Sequence, residues 1–276
     1  MTGAVRVGTS GWVYPPWRKT FYPDGLVQRR ELEYLSRTLN SVEINGSFYS
    51  LQRPSSYQRW AQQTPADFEF AVKGPRYVTH MRRLVDVDEA LANFFASGVL
   101  ALGAKLGPIL WQLPPTLAFD AAVIRDFCAR LPRSTGEAAR CATHHGPVVE
   151  GRALTHTDLD APMRHAIEPR HPSFTEYAMR ETLAGTGVAV VLADSAGTFP
   201  VLDVDTADFR YLRLHGDAEL YASGYTDAAL DDWAARVRRM RSGGHGRAGE
   251  DVYVYFDNDA KVRAPFDAAG LLARLE

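Results

Sequence analysis

The stretch RYLRLHG, residues 210–216, alternates leucine with charge: Leu212 and Leu214 on one side, Arg213 and His215 on the other. Successive side chains of a strand point to opposite faces. One face of this segment therefore wants apolar neighbours, while the other brings an arginine and a histidine together. A closed parallel barrel accommodates both. Its outer face packs on helices, and its inner face opens at the C-terminal ends of the strands into a mouth.

Seven further runs read as strands: VRVGTS (5–10), SVEING (41–46), FEFAVKG (68–74), LGPILWQL (106–113), HAIEPR (165–170), VAVVLADS (188–195) and DVYVYFDN (251–258). Helical periodicity fills most of the gaps, over 29–39, 55–63, 87–102, 120–131, 173–184, 227–241 and 265–275, with cap-like Ser55, Asp120, Ser173 and Asp227. The gap between strands six and seven holds no clear helix. Alternation of this kind predicts an α/β fold, a single (β/α)8 TIM-type barrel domain over 1–276, with a doubly wound sheet as the competitor. Residues 133–162 read as an irregular insertion before strand five. The Gly-rich 242–250 reads as a connector, because a phosphate-cradling loop needs the strand first and the helix after it.

Composition narrows the setting. The 276 residues carry a formal net charge of −2, which gives no global field for drawing in nucleic acid. No apolar run is long enough to span a bilayer, and the first residues lack the regions of a signal peptide. Cys128 and Cys141 are too few for a disulfide framework. The expected location is cytoplasmic. His144, His145, His156 and His165 match no standard zinc spacing and read mostly as surface residues.

Running the alternation along each strand assigns inward residues. Gly8 and Ser10 face in from strand one, Glu43 and Asn45 from strand two, Lys73 from strand three, and Gln112 with Leu110 from strand four. Strand five gives Glu168 and Arg170, and strand seven gives Arg213 and His215. Asp194 ends strand six. Strand eight leaves two registers open, Tyr255 with Asp257 or Phe256 with Asn258; the second gives Asn258 to a substrate. Arg6 and Glu69 fall on inward registers at the opposite end and read as a structural pair.

These residues also carry a likeness. GTSGWVYPPW (8–17), SVEINGSFY (41–49), TPADFEFAVKGPRYVTH (64–80), LGPILWQLPP (106–115), EPRHPSF (168–174), YLRLHG (211–216) and VYVYFDND (252–259) together resemble the domain-of-unknown-function-72 (YecE-like) family over nearly the full length. The resemblance implies a TIM-barrel-like fold and supplies no activity. Asp257 stands where that family usually has Asn, and Pro169 where it usually has an apolar residue.

The expected ring holds three acids (Glu43, Glu168, Asp194), three cations (Lys73, Arg170, Arg213), His215, and the neutral groups Asn45, Gln112 and Ser10. Arg170 and Arg213 offer planar forks for a carboxylate or phosphate. Glu168 is a candidate base, His215 a proton carrier, and Lys73 an electrophile or imine-forming amine. Trp12 and Tyr14 in loop one are candidate stacking residues for a sugar or base. A helix start near Lys261 and Arg263 is a candidate anion site. The leading expectation is a hydrolase or isomerase working by acid–base chemistry on a small anionic, phosphorylated or sugar-containing molecule, with no cofactor. A second reading sets a divalent metal on Glu43, Glu168, Asp194 and His215 for phosphodiester hydrolysis of nucleic acid. A third is a non-catalytic protein that binds a ligand or nucleic acid.

Overall fold

A computed structural model describes residues 2–243 and 249–276; the centre of the Gly-rich 242–250 lies outside them. Eight parallel strands form one sheet in the order β1-β8-β7-β6-β5-β4-β3-β2. They are β1 (Val5–Thr9), β2 (Ser41–Ile44), β3 (Glu69–Lys73), β4 (Leu106–Gln112), β5 (His165–Glu168), β6 (Val188–Asp194), β7 (Phe209–Leu214) and β8 (Asp251–Phe256). All eight expected strands are present.

The helices are α1 (Glu31–Leu35), α2 (Gly46–Tyr49), α3 (Pro54–Gln63), α4 (Asp88–Ala96), α5 (Ala121–Arg130), α6 (Thr135–Ala142), α7 (Glu176–Leu183), α8 (Asp227–Ser242) and α9 (Ala264–Leu275). Asp120 caps α5 through two backbone N–H groups. At α7 and α8 the capping oxygen comes from Thr175 and Thr226 rather than from Ser173 and Asp227. Residues 133–162 are not wholly irregular: Ser134 caps α6, which packs on α4. Its apolar content is mostly alanine, too little to advertise a helical stripe. As expected, β6 and β7 are joined without a helix.

The seam between β1 and β2 nearly closes the sheet. Ser10 and Glu43 form a parallel bridge, and Gly11 N–H donates to Glu43 O at 2.9 Å. Lower down, the Asn40 amide accepts from Val7 N–H (2.7 Å) and donates to Val5 O (3.0 Å). Gly8 makes this approach feasible: a Cβ there would lie 2.2 Å from Ser41 O.

Alternation separates two apolar sets. Val42, Val72, Ile109, Trp111, Ile167, Leu192, Leu212, Leu214 and Val254 join the outer core against the helices. Ala71, Leu110, Ala166, Ala189, Val191, Ala193, Phe209, Tyr211, Tyr253 and Tyr255 fill the interior. The alanines come from β3, β5 and β6. The aromatics come from β7 and β8 and occupy the room those alanines leave, as dense packing requires. At the lower end Arg6 pairs with Glu69 (2.6 Å), which also accepts from Tyr253 OH (2.8 Å).

His165 corrects the surface reading. It lies on the outer face of β5, buried against Trp111, whose Nε1 donates to its Nδ1 at 3.2 Å. Burial pushes its imidazole down to about 4. No helix among the described residues is long and apolar enough to cross a membrane.

Candidate functional site

The tyrosine layer ends in a layer of charge. Arg213, fully buried on the inner face of β7, reaches three carboxylates. It contacts Glu43 through Nε (3.1 Å) and Nη2 (2.9 Å), Glu168 through Nη1 (2.8 Å) and Asp257 through Nη2 (3.0 Å). Ser10 Oγ accepts from the same Nη2 (3.0 Å) and donates to Glu43 Oε1 (3.0 Å), and Tyr211 OH donates to Glu43 Oε2 (2.7 Å). A buried charge is tolerated only when paired and hydrogen-bonded. Arg213 meets that condition from β1, β2, β5 and β8 at once, so it holds the site together and is not free to clamp a substrate.

Asp257, not Asp194, is the third acid of the ring. On β6 the outer set contains Val188, Val190 and Leu192, so Asp194 falls on the outer parity. Its Oδ2 accepts from Tyr225 OH at 2.9 Å, tying down the loop after β7, and burial raises its carboxyl. On β8 the register is Tyr255 inward, which brings Asp257 to the mouth. Asn258 turns away and donates to Asp267 at the start of α9 (2.7 Å). Glu43, Glu168, Asp194 and His215 therefore do not converge as a ligand set; a guanidinium lies between the two glutamates. Among the described residues no three His, Cys, Asp or Glu side chains are grouped to hold a metal ion.

His215 sits between two of the acids, with Nδ1 3.2 Å from Asp257 Oδ2 and Nε2 3.3 Å from Glu168 Oε1. The second contact is poorly directed, and Nε2 has no well-formed hydrogen bond. Arg170 donates to Glu168 Oε1 through Nε (3.0 Å) and Nη2 (2.8 Å), and through Nη1 to Tyr221 OH (3.0 Å), over the Phe199 ring. Burial alone would raise the Glu168 carboxyl, but Arg170 and Arg213 reverse that and hold it well below the usual range. Asp257 is likewise held at about 2, burial being outweighed by Arg213 and His215. Both acids stay ionised, and both are weak bases.

Lys73 is different. Its backbone carbonyl is fixed by Ser47 Oγ (2.6 Å), and its Nζ lies 4.4 Å from the centre of the Phe48 ring. It makes no ion pair or hydrogen bond with the described residues, yet its tip is not sealed from the mouth. Burial, then Arg213, pushes its amine down to about 8 against the pull of Glu43, Asp257 and Glu168. His80 lies above it, edge-on to Phe48 at 5.1 Å, with Nδ1 2.9 Å from Thr79 Oγ1. Burial, then Lys73 and Arg76, lowers His80 to about 4 and keeps it neutral.

The remaining expectations divide. Gln112 is inward by register, opposite Glu168. Asn45 follows β2 directly, with its Oδ1 buried and unpartnered. Trp12 packs its indole edge-on against Trp60 of α3 at 5.3 Å. Tyr14 donates to Ser10 O and packs tilted against Trp17 at 4.9 Å between ring centres; Trp17 is fully buried. Loop-one aromatics thus pack on one another. Lys261 pairs with Glu219 (2.9 Å), and Asp267 takes the place near α9 where an anion was expected, accepting from Tyr225 N–H and Asn258.

His80, Phe48, Tyr221 and Asp259 were not foreseen. Tyr221 stands edge-on to His215 at 5.3 Å, with a non-glycine φ of +61°. Asp259 buries both carboxylate oxygens without a well-formed hydrogen bond, and burial, then Asp257, pushes it up to about 8. The stretch 64–80 held His80, but no strand period reaches it. The Tyr221 loop has no periodic signal at all.

Comparison with known proteins fits this picture. The family described as "Protein of unknown function DUF72" matches residues 6–276. The UPF0759 protein YecE of Escherichia coli K12 is 27% identical over 198 residues, covering 69% of this chain and 59% of that protein. The UPF0759 protein YunF of Bacillus subtilis is 28% identical over 116 residues, 40% of each chain. A crystal structure of a DUF72 family protein from Thermotoga maritima superposes with a TM-score of 0.75 at 26% identity, covering 99% of both chains. The match thus spans about three fifths of the length of YecE.

Proposed function

For a chain that belongs to the DUF72 family of proteins of unknown function, we propose that the barrel mouth is an active site acting by acid–base chemistry on a small anionic molecule. One observation carries the reading: Lys73 is the site's cation without a carboxylate partner, and it opens to the mouth.

The roles follow from the contacts. Lys73, its amine pushed down to about 8, fills the acid–base role that sequence reading gave to Glu168. Arg170 uses three of its five N–H groups on Glu168 and Tyr221 and turns the rest to a ligand carboxylate or phosphate. His215, buried between Glu168 and Asp257, carries protons within the ring. Arg213 keeps Glu43, Glu168 and Asp257 in position.

The test is calorimetric titration of the purified protein with inorganic phosphate. Expected is saturable binding, weakened about tenfold or more by Arg170→Met, the loss of a charge-assisted pair. Binding that is absent, or indifferent to Arg170→Met and Lys73→Met, contradicts the reading. Mass spectrometry of small molecules released from the native protein then identifies the natural anion.

A further inference from the structure

Resting on that reading of the mouth, we infer that Lys73 is a nucleophilic amine that forms an imine with a small aldehyde or ketone carrying an anionic group. The ground is its isolation at the open end of β3. The chain has four lysines against 27 arginines. Lys105 donates to Ala61 O and Thr64 O, Lys261 pairs with Glu219, and Lys19 lies 3.6 Å from Asp24. Lys73 alone among them has no oxygen partner, only the face of Phe48. Every other cation of the ring is an arginine, which does not deprotonate in proteins. A lysine at the one unneutralised position supplies what arginine cannot, a neutral amine. Burial and Arg213 favour that neutral form.

The surroundings suit the product as well as the nucleophile. The Nζ lone pair attacks the carbonyl carbon. A C–N bond forms, and the C=O π pair moves to oxygen, which takes a proton as nitrogen loses one. The hydroxyl then takes a second proton, drawn from solvent, as the C–O bond breaks; water leaves, and the nitrogen lone pair closes the C=N bond, which puts the positive charge on nitrogen as the protonated imine. Glu43, Asp257 and Glu168 exert a negative field on that nitrogen, as they do on the ammonium it replaces. The substrate's anionic group meets Arg170. Neutral His80 adds no competing charge.

The test is reductive trapping. The whole protein is incubated with glyoxylate and cyanoborohydride, and carboxymethyl-lysine is mapped by peptide mass spectrometry, with inorganic phosphate binding followed in parallel. Expected is modification of Lys73 about tenfold faster than of the exposed Lys19, because the lowered Lys73 amine and not exposure sets the rate. Phosphate should slow it, and Lys73→Arg should abolish it without unfolding the chain. Modification that follows exposure, with Lys19 and Lys261 labelled and Lys73 untouched, overturns the proposal. If phosphate still binds through Arg170 in that case, the anion site stands and the imine alone falls. Labelling of Lys73 that phosphate neither slows nor accompanies by binding overturns the substrate class and the anion site together.

Discussion

Arg213 and Glu168 meet across the barrel interior, Nη1 to Oε2 at 2.8 Å, both fully buried. The pair joins β7 to β5, strands that are not neighbours in the sheet. Lateral pairing holds adjacent strands together, whereas this contact spans the lumen and caps the tyrosine layer beneath it.

Arg213→Met should therefore cost about 3–5 kcal/mol, the usual penalty for leaving a buried charge unpaired. Here Glu43, Glu168 and Asp257 all lose a partner. Urea unfolding checks it. A loss under about 1 kcal/mol, the range of exposed pairs, would mean that water replaces the guanidinium.

Acid should weaken the fold through the same ring. Asp257 is held at about 2 against an ordinary 3.8, and Glu168 is held well below 4.5. A carboxyl lowered by folding contributes stability above its unfolded pKa and loses it as pH falls toward the folded value. For Asp257 that is about 2 kcal/mol. Stability should fall between about pH 4.5 and 2, and Asp257→Asn should flatten that slope in urea titrations over this range.

Asp259 should act with the opposite sign. Its carboxyl is pushed up to about 8, so the folded chain keeps a proton that the unfolded chain releases. Stability then declines as pH rises from about 4 toward 8. Asp259→Asn should remove the decline and raise the melting temperature near neutral pH. An unchanged pH profile would place the Asp259 carboxylate in contact with solvent.

The seam makes a steric prediction. Gly8→Val drives a Cβ into Ser41 O, at 2.2 Å, where backbone meets backbone. The expected cost is about 3 kcal/mol or more, since no flexible side chain can move aside. Gly185→Ala, at a glycine with nothing near its Cβ position, is the control for substitution itself; its φ of +74° limits the expected cost to about 1 kcal/mol.

Strand alternation alone makes most of the interior legible in the sequence. RYLRLHG, SVEIN and HAIEPR each mix apolar and charged residues at period two, so Arg213, Glu43 and Glu168 could be placed on the inner face by counting. Counting failed on VAVVLAD, apolar on both faces, where nothing distinguishes the parity of Asp194 from that of Ala193. It stayed undecided on VYVYFDN, where tyrosine and valine both suit a barrel face. Trp12 and His80 escaped because loops carry no period. Sequence marks a charge as inward, but it does not say which charges cancel: Arg213 looked like a ligand clamp and is a cross-brace, while Lys73 looked like one cation of three and is the one left open.

That difference makes the ionisation of Lys73 the most direct test of the account. With four lysines in the chain, the side-chain carbon and nitrogen resonances can be assigned by Lys73→Arg and followed by NMR across pH. The account predicts a midpoint at about 8 for Lys73, below the ordinary lysine value of 10.5. A Lys73 midpoint at or above 10.5 would mean a paired ammonium, and would contradict it.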